Sequence, residues 1–174
     1  MSKSVSRLAV AHVFKIVDTP LGALKLVGSD AGLAAVLWEN DDPRRVRLNV
    51  VGEDADHPVL VETERQLREY FAAERKVFDL ELAFVGTEFQ KRVWAELLKI
   101  PFGQTRSYGQ IARDLGNPNA MRAVGAANGK NPISIVAPCH RVIGASGALT
   151  GFAGGLEAKA YLLALESPEL TLAL

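Results

Sequence analysis

The stretch Ile133-Ser134-Ile135-Val136-Ala137-Pro138-Cys139-His140-Arg141-Val142 decides how this chain is read. It holds the only cysteine among 174 residues, with a histidine beside it and an apolar run leading in. A β-rich run closed by proline predicts a buried strand that stops at Pro138 and presents Cys139 at its mouth. A lone cysteine is ordinarily a small buried hydrophobe. Here His140, Arg141 and the turn Asn128-Gly129-Lys130-Asn131-Pro132 crowd polar groups around one thiol. Polar groups beside a buried strand need a reason.

Cys139 and His140 are sequence neighbours, so in extended backbone their side chains diverge. A direct thiol–imidazole hydrogen bond is therefore awkward. A bridging water can relay the proton instead, leaving a thiolate stabilised by the histidine and nearby positive charge. A third group should orient the histidine, and an acidic residue later in the chain is the natural candidate.

Upstream of this stretch, Thr87-Glu88-Phe89-Gln90 and Ser107-Tyr108-Gly109-Gln110 are capping boxes that open two helices. The first carries Phe89, Val93, Trp94, Leu97 and Leu98 inward and stops at Ile100-Pro101. The second runs through Leu115 to Gly116. Asn117 then caps, Pro118 takes the first helical position, and a further helix runs to about Asn128. Two short helices joined by a Gly-Asn-Pro turn predict a helix-turn-helix, for which a plain helical hairpin is the alternative. The last of these helices is built from Ala120, Ala123, Gly125, Ala126 and Ala127, with Arg122 as its single long polar side chain. A major-groove reader would offer several Arg, Asn or Gln at base-contacting positions. This helix fits a narrow minor groove, with one arginine pushed into the base stack.

Toward the N-terminus, His12–Asp18, Ala23–Val27 and Leu33–Trp38 read as antiparallel strands joined by short turns. The polar segment to Asp56 carries Arg44, Arg45 and Arg47 and reads as a solvated loop or short strand. Pro58–Glu74 places Leu60, Leu67, Tyr70 and Phe71 on one helical face. Val77–Val85 alternates and is expected to close the sheet. Past the cysteine, Gly144–Gly155 is a glycine-rich loop without a phosphate-binding signature. Leu156–Glu166 is a helix offering Tyr161 and Leu163 for packing, and the tail beyond Ser167-Pro168 is loosely held.

Composition narrows the possibilities. Hydrophobic residues make up 48% and charged residues 23%, as in ordinary soluble domains. No apolar run approaches the roughly 18 residues of a membrane span, and the first residues lack the apolar core of a signal peptide. One cysteine excludes an intrachain disulfide and a multi-cysteine zinc site, which fits a reducing, cytoplasmic setting. Net charge is zero, which by itself argues against nucleic acid. The halves differ, however: from Thr87 onward there are 9 Lys/Arg against 6 Asp/Glu, and before it 11 against 14. That weak asymmetry is compatible with a modest DNA footprint.

The run from Asn131 to Ile143 resembles the active-site signature of the O6-alkylguanine-DNA alkyltransferases, or methylated-DNA–protein-cysteine methyltransferases. The resemblance extends from about Gly86 to Glu166. It implies an α+β fold: an N-terminal antiparallel sheet with a helix in a ribonuclease H-like arrangement (residues 1–86), then a mainly helical part (87–174). That second part bears the helix-turn-helix and the active-site strand and loop. The activity it implies is repair by single-turnover transfer of an alkyl group from O6-alkylguanine in duplex DNA to Cys139. O4-alkylthymine stays open as a second substrate. By the same resemblance His140 takes the thiol proton, Glu166 orients the histidine, and Asn131 holds the active-site turn. Tyr108 supports the flipped strand and protonates the departing base. Arg122, with Ala123 and Gly125 on the same helix, fills the gap left by the flipped nucleotide. Val142, Phe152, Ala153 and Lys159 form the substrate pocket. Phe152 stands where many members have tyrosine, Ala153 where some have a polar residue, and Ser134 where some have proline, a change that would widen the pocket. No cofactor and no metal are implied. The partner is double-stranded DNA met from the minor-groove side by a monomer, with cooperative assembly on DNA left open. Competing readings are a lesion-binding protein without chemistry, a cysteine hydrolase using Cys139, His140 and Glu166, and a helix-turn-helix regulator.

Overall fold

The computed structural model describes residues 10–147 and 151–167. Strands β1 (His12–Thr19), β2 (Gly22–Ser29) and β3 (Gly32–Trp38) form the expected meander. The tight turn into β3 depends on Gly32 at φ 136°, where a Cβ would come within 2.6 Å of the Glu81 carbonyl oxygen.

The sheet closes differently from the sequence expectation. Its order is β3-β2-β1-β4, and the fourth strand is β4 (Val50–Glu53), parallel to β1. The sheet is thus mixed rather than wholly antiparallel, and the polar segment before Asp56 supplies its edge. Val77–Val85 touches β3 only through a single bridge, with Leu33 N–H donating to Glu81 O and Ala83 N–H donating to Leu33 O. A side chain replaces the rest of the ladder: Gln66 donates to Asp79 O and accepts from Asp79 N–H. Alternation in this segment therefore reflects apolar packing of Phe78, Leu80, Leu82 and Phe84 rather than strand pairing.

Helix α1 (Pro58–Phe71) lies on the sheet, capped by the His57 side chain and opened by Pro58. Leu60, Leu67 and Tyr70 are buried beneath it. It ends before the expected Glu74 because Ala73 turns to φ 61°.

Beyond Gly86, α2 (Glu88–Leu97) and α3 (Tyr108–Asp114) both start with the capping boxes read from the sequence. Leu98 is 46% exposed and does not join the core as expected. A short strand β5 (Arg106–Ser107) precedes α3 and pairs in parallel with β6 (Val142–Ile143). Helix α4 (Met121–Gly129) starts later than expected: residues 117–120 form a turn in which Ala120 N–H donates to Asn117 O. No side chain caps it. The indole N–H of Trp94 donates to Ala127 O at 2.8 Å and fixes α2 against α4. Helix α5 (Leu156–Glu166) completes the described chain, burying Leu163 while Tyr161 stays at the surface. Residues 148–150 of the glycine-rich loop, the first nine residues and the tail beyond Ser167 lie outside the described residues.

Two apolar clusters result. One unites β1–β3 and α1 with Ile133, Ile135, Ala137 and Leu162, so it draws on both sides of Gly86. The other packs Trp94, Ile111, Val124 and Ala127 around Cys139 and Val142. Among the described residues no helix is long and apolar enough to cross a membrane.

Candidate functional site

Residues Ile133 to Ala137 are not the strand that their composition predicts. They form a tight buried turn in which Ala137 N–H donates to Ile133 O and Val136 N–H to Ser134 O. Asn131 organises it: its amide accepts from Ile133 N–H and donates to Ala137 O at 2.9 Å. Such local side-chain bonds compete with a sheet ladder, and the flanking Pro132 and Pro138 have no N–H to offer one. Ile135 is carried at φ 72°, a conformation that costs a β-branched residue on the order of 1–3 kcal/mol. Strain of this size persists only where the surroundings fix the backbone.

The turn delivers the chain into a short 3-10 helix, Cys139–Arg141. Cys139 is buried, at 4% exposure. Burial pushes its thiol pKa up, opposed by a hydrogen bond from Asn131 and by the charges of Arg45 and Lys159. His140 is fully buried and its Nε2 lies 2.7 Å from Glu166 Oε2. Burial pushes Glu166 up, but hydrogen bonds from His140 and Arg141 overcome this and hold it at about 2. Since Glu166 is ionised, His140 Nε2 must carry the proton and donate it. Its Nδ1 then keeps a lone pair, and no protein group among the described residues bonds to that atom. Burial lowers the His140 pKa against the pull of Glu166, so the resting imidazole is neutral.

Glu166 also binds partners that the sequence did not reveal. Arg141 grips it bidentately, Nε to Oε1 at 2.7 Å and Nη2 to Oε2 at 2.9 Å, and donates through Nη1 to Ile100 O. Tyr70 of α1 donates its hydroxyl to Oε2 at 2.6 Å. Burial, and then the Glu166 charge, raise the Tyr70 pKa and keep it a donor.

Further supports come from the N-terminal half. Val36 N–H donates to Pro132 O at 2.9 Å, and Trp38 Nε1 donates to Ser134 Oγ at 3.1 Å. The Ser134 hydroxyl is therefore committed to Trp38. Arg45, expected to be solvated, pairs with Asp41 and donates to Asn131 O at 2.7 Å and Gly129 O at 3.2 Å.

A family model described as the DNA-binding domain of 6-O-methylguanine DNA methyltransferase matches residues 88–168, and one described as its ribonuclease-like domain matches residues 13–84. The chain belongs to the 6-O-methylguanine DNA methyltransferase family. A methylated-DNA–protein-cysteine methyltransferase from Methanosarcina acetivorans is 49% identical over 88% of this chain and 97% of its own length. Another from Mycolicibacterium paratuberculosis is 50% identical over 88% and 91%. The crystal structure of Mycobacterium tuberculosis OGT in complex with DNA superposes with a TM-score of 0.81 at 46% identity, covering 91% of this chain and 94% of that one. The α+β fold is the fold of these methyltransferases.

The remaining residues that the 6-O-methylguanine DNA methyltransferase signature singles out fall into two places. Val142 is buried next to the thiol, and its carbonyl accepts from Lys159 Nζ at 2.6 Å. Burial pushes Lys159 down to about 8, against the pull of Cys139. Phe152 stands edge-on to Trp38 with ring centroids 5.4 Å apart, and Ala153 beside it is exposed. The loop seats this closely because a Cβ at Gly154 would come within 2.6 Å of the Trp38 ring. On the outside, Arg122 and Ala123 are exposed on α4 and Gly125 is half-buried. A Cβ at Gly125 would sit 3.8 Å from the ring of Tyr108, so Tyr108 flanks this face. Helix α4 thus packs Val124 and Ala127 against the cluster holding Cys139 and turns Arg122 outward.

Proposed function

We propose that this chain repairs DNA by one stoichiometric transfer of the alkyl group of O6-alkylguanine to Cys139. The observation that carries the reading is the buried thiol beside a neutral His140 whose Nε2 is committed to Glu166, leaving Nδ1 as the basic atom. The thiol proton passes to Nδ1 through a water, and the imidazolium is stabilised by the Glu166 carboxylate. The Cys139 Sγ electron pair then attacks the alkyl carbon. An S–C bond forms, the C–O6 bond breaks, and its electron pair leaves on guanine, which Tyr108 protonates. The substrate brings its own leaving group, so the reaction calls for no cofactor. A thioether is inert to water at neutral pH, so each molecule acts once.

The target atom is inside the duplex, so its nucleotide must be flipped out. Helix α4 approaches from the minor groove, where its small residues allow close contact and Arg122 occupies the vacated space. Among the described residues Arg122 has no carboxylate partner, which leaves its guanidinium available for this. We assign residues 87–174 the acceptor and DNA contacts, and residues 1–86 the supports that fix the Asn131–Cys139 turn. The protein works as a monomer, in the cytoplasm where a free thiol stays reduced.

The test is stoichiometry. Titrating a duplex containing O6-methylguanine with the protein should remove one lesion per molecule and then stop. Continued turnover, or a lesion undiminished at excess protein, would reject the reading.

A further inference from the structure

The basic segment Arg44-Arg45-Val46-Arg47 is not absorbed by the chemistry above. Arg45 points inward, tied to Asp41 and to the carbonyls of Gly129 and Asn131. That anchor fixes the segment against the C-terminal end of α4, and a surface cleft opens between them. Asp42, Arg44, Arg45 and Arg47 line one side, and Gly125, Ala126, Gly129 and Lys130 the other. Arg44 is paired with Asp42 at the surface. Arg47 and Lys130 are exposed, and neither has a hydrogen-bond or ion-pair partner among the described residues. Both line the same cleft as Asp42, whose carboxyl is held below its ordinary range first by hydrogen bonds from Arg44 and then by the charges of Lys130 and Arg47.

The cleft continues the face that carries Arg122. On a helix, residues three and four apart are neighbours, so Arg122 lies beside Gly125 and Ala126. Lys130 follows about 12 Å further along the helix axis. That span corresponds to three or four base-pair steps at about 3.4 Å per phosphate on a strand. Helix α4 has no acidic residue, and the cleft floor is glycine and alanine. A concave strip with small residues below and, beside the Arg44–Asp42 pair, two uncommitted cations suits a phosphodiester backbone in charge.

We propose that this cleft is a second DNA-phosphate contact, through which Arg47 of the N-terminal half and Lys130 hold the backbone beyond the flipped nucleotide. The inference rests on the function proposed above, and extends the footprint to a part of the chain otherwise used as support.

Salt dependence reads it directly. Each phosphate neutralised contributes about 0.9 to the slope of log K against log salt. Fluorescence anisotropy with an undamaged duplex should give the double variant Arg47→Ala/Lys130→Ala a slope shallower by about 1.8. Its affinity would then fall about tenfold less than the parent's between 50 and 200 mM salt. Arg47→Lys/Lys130→Arg should retain the parent slope. Thermal unfolding checks that the variants fold, and if the double variant does not, Arg47→Ala alone should flatten the slope by about 0.9. An unchanged slope in a folded variant overturns the proposal, as does an equal loss in the charge-retaining pair. Alkyl transfer by these proteins is followed separately, so its absence in the parent would instead reject the proposed function.

Discussion

Glu166 accepts four hydrogen bonds inside the protein, from Tyr70, His140 and two nitrogens of Arg141, while Arg122 on the outer face of α4 has none among the described residues. The two regions meet back to back across the apolar cluster that holds Cys139. Inside, every donor is placed before any substrate arrives, which lowers the reorganisation that chemistry would otherwise require. Outside, small side chains and an unpaired cation wait for a partner. Damage to the first region should therefore appear in stability and in thiol reactivity. Damage to the second should appear only when DNA is present.

The largest effect is expected at Glu166. Glu166→Ala leaves the buried Arg141 guanidinium without its counter-ion, which costs roughly 3–5 kcal/mol of stability, measurable by urea unfolding. Glu166→Gln keeps the shape and tests the relay. With the carboxylate gone the imidazolium loses support, so labelling of Cys139 by iodoacetamide should shift to higher pH. A coincident profile would remove Glu166 from the proton path. Acid stability carries its own sign. Because Glu166 is held at about 2 in the fold against an ordinary value near 4.5, its contribution is present above about 4.5. That contribution is lost as pH falls through about 2, and the Gln variant should lack this component of acid unfolding.

Arg122→Ala comes next. Flipping costs a few kcal/mol, and losing the group that fills the gap should slow repair of a duplex lesion by roughly ten- to a hundredfold. Reaction with the free base O6-benzylguanine, which needs no flipping, should change little. Equal loss on both substrates would place Arg122 in the folded pocket and erase the contrast between the regions.

Tyr70→Phe is the smaller and sharper test. It removes a hydrogen bond to a charged acceptor, worth about 1.5 kcal/mol of stability. Relieved of one donor, Glu166 becomes more basic and favours the imidazolium. Thiol labelling should then shift to lower pH, opposite to Glu166→Gln. A shift in the same direction as Glu166→Gln would mean that Tyr70 acts only by holding the fold.

The sequence disclosed the two regions unequally, for physical reasons. Both capping boxes formed as read because each is closed within a few residues. The face of α4 was legible because helical spacing alone puts Arg122 among small residues. The segment Ile133–Ala137 has the composition of a strand and is a turn. β-branched composition was overridden by the Asn131 side chain and by a bridge from Val36, neither of which local propensity records. Tyr70 and Arg45 were invisible as site residues because their partners lie 96 and 86 positions away. Periodicity marked Tyr70 as core, and it is core, but nothing local indicates that its hydroxyl ends on Glu166. The closing strand was misplaced for a related reason: Gln66 satisfies Asp79 in place of a neighbouring strand.

All of these comparisons assume that the buried region takes the alkyl group on one sulfur. Incubating the protein with a duplex carrying O6-methylguanine, then digesting it and weighing the peptides, tests this most directly. The peptide containing Cys139 should gain the mass of one methyl group in place of hydrogen, matched by an equal loss of lesion from the DNA. An unmodified Cys139 peptide beside an undiminished lesion, or a methyl group on any other residue, would contradict it.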